Sequence, residues 1–450
     1  MKRMPFPKGT LIRMACACAS LALLAIALPA QAQVMTLDQS VQYALEHNPA
    51  VGMTRENINK SKWLVDQATA AGKLKLDVTG TYTRLDKVST VSFGADSVKL
   101  NSLDSKAADL TLRQPIDLFG IVKTGQHAAK LNKSAAQHDY DQAENDTTLA
   151  VKEAYYSVLR AQQFTIVQTK RVEQLEAHLK ETQSHLRAGT AAPFDVLRAE
   201  TEVANARQGL ITAQNGVELA KAAFNNTLGR SLDAPAELEE PGQPQFVDLQ
   251  LAECLDSASS ARPEVLKMEA QQGFTKDLVQ IAKQASKPQM NLVWTMNQNL
   301  TTTVFNPRSN SWRALATVSM PIFDGGKNRA TVDIAQSEAS NARLGYEQTL
   351  LGVMLDAQQA YLSTNESRQK IAVATQALAQ ARESMRLAEV RYKAGVSTQV
   401  ELFDAQTALT QAETNHVNAV YDYYTAMAQL EKAVGGPTPM AKLIESAAKE

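Results

Sequence analysis

Two kinds of periodicity alternate along this chain, and the alternation is played through twice. From Leu74 the apolar positions fall on every second residue: Leu74, Leu76, Val78, Gly80 and Tyr82 share one side, and Lys75, Asp77, Thr79, Thr81 and Thr83 share the other. A second run has Ala108, Leu110 and Leu112 opposite Asp109, Thr111 and Arg113. Met290, Leu292, Trp294 and Met296 repeat the pattern, as do Trp312, Ala314, Ala316 and Val318. Such alternation predicts four strands, each with an apolar and a polar face. Each runs for about 10 residues, the length of a tilted strand crossing a bilayer. Taken alone, alternation favours an ordinary half-buried hairpin.

Around the strands the period lengthens to that of a helix. Thr36-x-x-Gln39 has the form of a capping box and opens an amphipathic helix to about Ala71. Each hairpin ends in a Pro-Ile turn with glycine, Pro115-Ile116-Asp117-Leu118-Phe119-Gly120 and Pro321-Ile322-Phe323-Asp324-Gly325-Gly326. Proline is tolerated at a strand end, and glycine frees the backbone for a sharp turn into a helix. From about Ile121 to Arg187, and again from about Asn328 to Lys393, there is no proline and almost no glycine. Helices of that length reach roughly 100 Å. Val151, Ala154, Tyr155, Val158 and Leu159 mark the three-four stripe of long coiled-coil-like packing. No single globular core buries such rods, so each must lie against others like it.

The rods end at Arg187-Ala188-Gly189 and Lys393-Ala394-Gly395, with glycine in the C′ role, and helices of about half the length return to Leu228-Gly229 and Val434-Gly435. By length, helix 195–228 pairs end to end with helix 250–286, and helix 397–434 with helix 36–72. The Pro/Gly-rich stretch 234–245 and the tail from Gly435 then sit at a waist. Four strands cannot close a barrel, and lipid does not tolerate an open edge. Strands that cross a membrane here therefore predict an obligate oligomer.

The alternation is a true internal repeat. Pro115, Ile116, Tyr155, Ala188, Gly189, Ala199, Thr201 and Gly229 recur 206 residues on, as Pro321, Ile322, Tyr361, Ala394, Gly395, Ala405, Thr407 and Gly435. Nearer the N-terminus the offset is 214, matching Leu37, Ala44, Pro49 and Val51 to Leu251, Ala258, Pro263 and Val265. The extra residues fall between about 85 and 105, a longer loop in the first copy. This divides the chain into residues 1–32, a first repeat 33–230, an equatorial linker 231–248, a second repeat 249–435 and a flexible tail 436–450. The hairpins span about 74–115 and 289–320, and loops 86–105 and 299–311 face outside.

Composition changes the picture in two ways. Lys2, Arg3, Lys8 and Arg13 precede the apolar run Leu21 to Leu28 and the small-residue site Ala30-Gln31-Ala32, which together predict a secretory signal peptide. Cys16 and Cys18 leave with it, so Cys254 has no internal disulfide partner. Without the four leader cations, 46 basic against 47 acidic residues becomes 42 against 47, a balance that speaks against nucleic acid. The chemistry of an enzyme is missing from the motifs. Gly325-Gly326-Lys327 runs into Asn328 rather than Ser or Thr, so it is no phosphate loop. His178, Glu181 and His185 share a helical stripe, read as an exposed polar face and not a metal site. No cofactor is implied.

The opening Thr36-Leu37-Asp38-Gln39-Ser40-Val41-Gln42-Tyr43-Ala44-Leu45-Glu46-His47-Asn48-Pro49 resembles that of TolC-like outer-membrane efflux proteins (outer membrane factors). So do Pro-Ile-Phe-Asp-Gly-Gly from Pro321, Arg-Tyr-Lys-Ala-Gly from Arg391 and Leu-Phe-Asp-Ala-Gln from Leu402. The resemblance extends to Gly435. It implies a mainly α fold with transmembrane β structure, namely a trimeric 12-stranded β-barrel continuing into a 12-helix α-barrel tunnel built from the two repeats. It implies an outer-membrane exit duct with a long periplasmic portion, serving multidrug efflux or type I secretion in a Gram-negative bacterium. The partners implied are a periplasmic adaptor (membrane fusion protein), an inner-membrane pump of RND, ABC or MFS type and outer-membrane lipid. The alternative is a non-channel periplasmic coiled-coil scaffold or adhesin.

In that family the inner helical hairpin closes the periplasmic mouth through tip hydrogen bonds and rings of carboxylates. By resemblance the ring acids are Glu401 and Asp404, and the tip partners are Asp195 and Tyr392. Thr398-x-x-Glu401 is also a capping box, and Asp195 sits in a first helical turn where the dipole favours an acid. The family's latch includes an arginine two residues after the second tip glycine. Ser397 stands there, leaving Arg198 as the available substitute. Ala188, Gly189, Ala394 and Gly395 are the implied adaptor contacts, although helix C-capping accounts equally for the glycines.

Overall fold

The computed structural model describes residues 34–94, 96–302 and 309–447. The signal peptide, Cys16, Cys18, the outer part of loop 299–311 and the last three residues of the tail lie outside the described residues. Strands β1 (Lys75–Arg84), β4 (Asp104–Ile116), β5 (Gln289–Asn299) and β6 (Asn310–Ser319) form one antiparallel sheet in the order β1-β4-β5-β6. The loop of the first hairpin carries a small ribbon of its own, β2 (Thr90–Phe93) and β3 (Asp96–Lys99), which accounts for the extra length of that copy.

Register preserves the two faces across all four strands. Leu76 lies opposite Leu112, Leu112 opposite Trp294, and Trp294 opposite Ala314; Val78, Leu110, Met296 and Trp312 make the next apolar row. On the other face Thr79, Asp109, Asn297 and Ser311 form a row, within which the Asn297 amide donates to Asp109 at 2.7 Å. A slip of one residue in any pairing would mix the faces. The apolar face has no cover within the chain: Val78 is 75% exposed and Trp312 71%. Both outer strands, β1 and β6, are exposed along their whole length.

Below the sheet run the helices. The rods α3 (Ile121–Arg187) and α7 (Lys327–Lys393) each hold 67 residues. Their return helices are α4 (Pro193–Leu228) and α8 (Gln399–Ala433). The two helices that lead into the hairpins are each broken once, where the sequence predicts continuous segments. One becomes α1 (Leu37–His47) and α2 (Pro49–Ala70), the other α5 (Leu251–Ala261) and α6 (Pro263–Gln284). A residue before proline is pushed out of the helical region. Asn48 and Arg262 accordingly sit at ψ 125° and 130°.

Stacking of the half-helices corrects the arrangement drawn from length. Helices α6 and α8 both lie between α3 and α7, whereas α2 and α4 both flank α3. The Asn48 side chain donates to Thr227 O at 2.9 Å, joining the start of α2 to the end of α4. Ser257 Oγ donates to Val434 O at 2.9 Å, joining α5 to the end of α8. Each half-helix therefore stacks on its partner from the same repeat. Length could not decide, because α2 and α6 have 22 residues each while α4 and α8 have 36 and 35.

The waist holds the largest cores, and they obey the repeat. Ala44, Val151, Phe224 and Leu228 are buried in one core, and their counterparts Ala258, Ala357, Leu430 and Val434 in the other. The linker crosses all four columns here. Asn225 of α4 donates to Ala234 O, Tyr155 of α3 to Glu239 O, Tyr424 and Tyr423 of α8 to Gly242 O and Gln245 O, and Arg368 of α7 pairs with Asp248. Residues 437–447, expected within a flexible tail, are helical: α9 (Pro437–Ala447) buries Met440 and Leu443 against the core around Cys254.

Candidate functional site

The far ends of the rods bring the sequence-derived tip residues together. Each rod stops at a glycine with positive φ, Gly189 at 73° and Gly395 at 70°, a conformation that costs a side chain strain. Ala188, Gly189, Ala394 and Gly395 are all exposed at these turns. Each hairpin then packs its own small core. Val172, Leu175, Ala199, Val203 and Ala206 line the α3–α4 core, and Leu378, Met385, Leu402, Leu409 and Ala412 the α7–α8 core. Phe403 crosses from α8 into the first of these, so the hairpins share a seam.

His178 occupies that seam. The sequence places it on an exposed polar face, but it is buried, at 8% exposure. It meets Tyr392 edge-on at 5.1 Å and Phe403 at 5.2 Å. Gln399 of α8 donates to His178 Nε2 at 3.0 Å and to Asp195 O at 3.2 Å, so one amide joins α3, α4 and α8. Gln406 donates to Gln174 at 2.7 Å two turns further up. Burial lowers the His178 pKa below its ordinary value, outweighing the nearby carboxylate of Glu181, and burial raises that of the Tyr392 phenol. Among the described residues no His, Cys, Asp and Glu cluster could hold a metal.

The carboxylates divide. Asp195 caps its own helix, accepting from Ala192 N at 3.1 Å, and takes part in the seam through its backbone. Thr398 caps α8 by accepting from Glu401 N at 3.3 Å, but the Glu401 carboxylate does not return the bond. It instead accepts from Ser397 Oγ at 2.6 Å and lies 3.6 Å from Arg391. Ser397, standing in place of an arginine, is thus tied to the acid beside it. Asp404 is exposed, with no partner among the described residues. Arg198 approaches the other hairpin only through the Phe403 ring, 5.8 Å away. The residues missed in the sequence, His178, Gln399 and Gln406, make side-chain hydrogen bonds that join the hairpins at this end.

At the opposite end of the rods, the glycines, together with two acids that the sequence does not single out, shape the turns into the helices. Gly120 caps α3 at φ 79°, and Gly325 and Gly326 turn into α7 at 64° and 90°. Asp324 accepts from Asn328 N at 2.8 Å, and Asp117 from Lys123 N at 3.1 Å, each at a helix N-terminus. Pro115 lies opposite Asn291, one residue before the end of the β4 ladder, and Pro321 follows the end of β6 with one residue between.

A two-faced sheet with bare edges, carried on rods that meet at a tight double tip, defines an outer-membrane efflux channel subunit. Residues 40–230 and 254–436 match the outer membrane efflux protein family, one match per repeat, and the chain belongs to it. It is similar to outer membrane protein OprJ of Pseudomonas aeruginosa, with 25% identity over 410 residues, 89% of this chain and 84% of that one. Its fold is shared with the crystal structure of VceC from Vibrio cholerae, at a TM-score of 0.77 and 19% identity, covering 89% of this chain and 96% of that one. The open state of the Neisseria gonorrhoeae MtrE outer membrane channel matches at a TM-score of 0.75 and 21% identity, over 89% of both chains.

Proposed function

We propose that three copies of this chain close into one duct that carries solutes passively from the periplasm across the outer membrane. The observation that carries this reading is the pair of bare edges. An apolar sheet face suits lipid, but β1 and β6 leave their outer hydrogen-bonding groups unpaired, which lipid forbids. Pairing β6 of one copy with β1 of the next satisfies both at once, and such a head-to-tail contact closes into a ring. The rods repeat the argument: exposed Phe194, Leu197, Ile211 and Leu219 on α4 and Ile334, Leu344, Leu351 and Leu355 on α7 give each outer column an apolar stripe for its neighbour. Trimeric stoichiometry follows the family resemblance. A scaffold would have no use for a sheet with one oily and one wet face.

The energy for transport comes from partners, an inner-membrane pump and a periplasmic adaptor that meets the exposed tips at Ala188, Gly189, Ala394 and Gly395. The tip is the gate. Closed, it is held by the His178–Gln399 seam, and Glu401 and Asp404 recur three times around the axis, favouring cations and repelling anions. Reconstituted wild type should give cation-preferring steps that trivalent cations block from the tip side, and Glu401→Ala with Asp404→Ala should lose both properties. Unchanged preference would remove the acid ring. A heat-labile monomer in the outer-membrane fraction would remove the duct.

A further inference from the structure

We infer that the base of the sheet's polar face is an anion-binding throat, which engages multivalent phosphate-, carboxylate- or sulfonate-bearing cargo where the rods open into the barrel. The inference rests on the duct reading, because this face meets a lumen only when copies of the chain close around one.

In the row that begins β1, Lys75 stands directly opposite Arg113, and the row continues through Val293 and Leu315 without a counter-charge; below it on the same face the ladders hold only the uncharged Pro115, Asn291 and Thr317 and then Gln289 and Ser319. The next row up, Asp77, Thr111, Thr295 and Arg313, adds one cation and one carboxylate. Above that, Asp109 already accepts the Asn297 amide, and the remaining positions are uncharged. The side chains of Lys75, Arg113 and Arg313 belong to exposed residues and make no hydrogen bond or ion pair among the described residues. Like charges directly opposed across a ladder destabilise it.

The repeat supplies an internal control. At the offsets of 214 and 206, Lys75 and Arg113 correspond to Gln289 and Ser319, which pair with each other in the same register. Arg313 corresponds to Ala107. The same module is built elsewhere in this chain with neutral residues at all three places, so its architecture does not require the cations. Their use must lie in what the face meets. Rings of Arg and Lys select anions and phosphates in pores, and a low-dielectric wall concentrates their field. Arginine adds a fork that fits two anionic oxygens. The duct then carries opposite charge at its two ends, acids at the tip and bases at the throat.

The test uses the mature full-length chain in planar bilayers, with inorganic tripolyphosphate added on the barrel side. Wild type is expected to be blocked. Lys75→Gln with Arg113→Ser and Arg313→Ala, which copies residues the other repeat already carries, should raise the half-blocking concentration about tenfold or more and shift the reversal potential toward cations. Heat-resistant oligomer and unchanged exclusion of neutral polyethylene glycol verify that the variant is assembled. Glu401→Ala with Asp404→Ala should leave this block in place, separating throat from tip. Absence of block in wild type, or equal block in the variant to within about twofold, overturns the inference while the duct stands. Absence of any step current overturns the duct and the throat with it.

Discussion

The Nε2 atom of neutral His178 accepts an amide hydrogen of Gln399 at 3.0 Å, and protonation would turn that acceptor into a second donor facing the first. Glu181 and His185 on α3, Asp195 on α4, Glu389, Tyr392 and Lys393 on α7 and Glu401 on α8 are the ionisable groups around this part of the tip. Burial dominates them and holds the imidazole pKa down. The sign follows. Above the ordinary value near 6.5 the imidazole is neutral whether the seam is closed or open, and the closed seam is fully stable. As pH falls toward the depressed value, the opened form takes up a proton that the closed form refuses. The closed state then loses up to about 1.4 kcal/mol per pH unit. Channel opening should therefore rise as pH falls through the ordinary value near 6.5, and His178→Gln should flatten that dependence. Equal pH profiles for wild type and variant, measured as open probability, would count against the seam. Only half of this residue was legible beforehand. Val172, Leu175, His178 and Thr182 continue one buried stripe at three-four spacing, a signal in the sequence, but the rings that cover His178 come from a hairpin more than 200 positions away.

At the scale of elements, strands, rods and turns were readable because each depends on local rules: period two, freedom from proline, glycine at the tips. The breaks before Pro49 and Pro263 were also written locally, and the amphipathic stripe on either side concealed them. Which half-helix stacks on which was unreadable, since equal lengths permit both pairings and the deciding contacts join distant segments. Gly435 bears on this directly. It sits at φ 113°, and a Cβ there would come 3.0 Å from Ala261 Cβ and 3.1 Å from the Ala261 carbonyl carbon, at the joint of α8 with α5 and α6. Gly189 also has a positive φ, 73°, but open space around it. Gly189→Ala should therefore cost only the conformational strain, about 1 kcal/mol, while Gly435→Ala adds a clash with backbone and should cost about 2–3 kcal/mol. Thermal dissociation of the oligomer in detergent should separate the two variants by several degrees. Equal melting would mean that the waist joint yields freely.

For the whole molecule the decisive quantity is which side of the sheet meets lipid. The register makes the faces consistent across four strands, and a single chain leaves both exposed, so the assignment rests on chemistry: Leu, Val, Met and Trp on one side, Thr, Asn, Ser and charges on the other. Val78 and Thr79 are neighbours in β1 with opposite orientation, both on an outer strand and both free of cover within the chain. A lysine placed on the lipid side near mid-strand costs about 2–4 kcal/mol per site, while a lumen position accepts it. Every closed ring carries the substitution in each copy, so the cost multiplies with assembly. Val78→Lys should strongly reduce heat-resistant oligomer in the outer-membrane fraction. Thr79→Lys should assemble normally and, because it adds a cation one row above Asp77 on the wet face, shift reversal potential toward anions. The two variants share net charge and strand and sit one residue apart, so the facing of the new lysine is the main difference between them. Should Thr79→Lys fail while Val78→Lys assembles, the faces are reversed, and the lumen and the throat read from them would both have to be drawn again from the other side of the sheet.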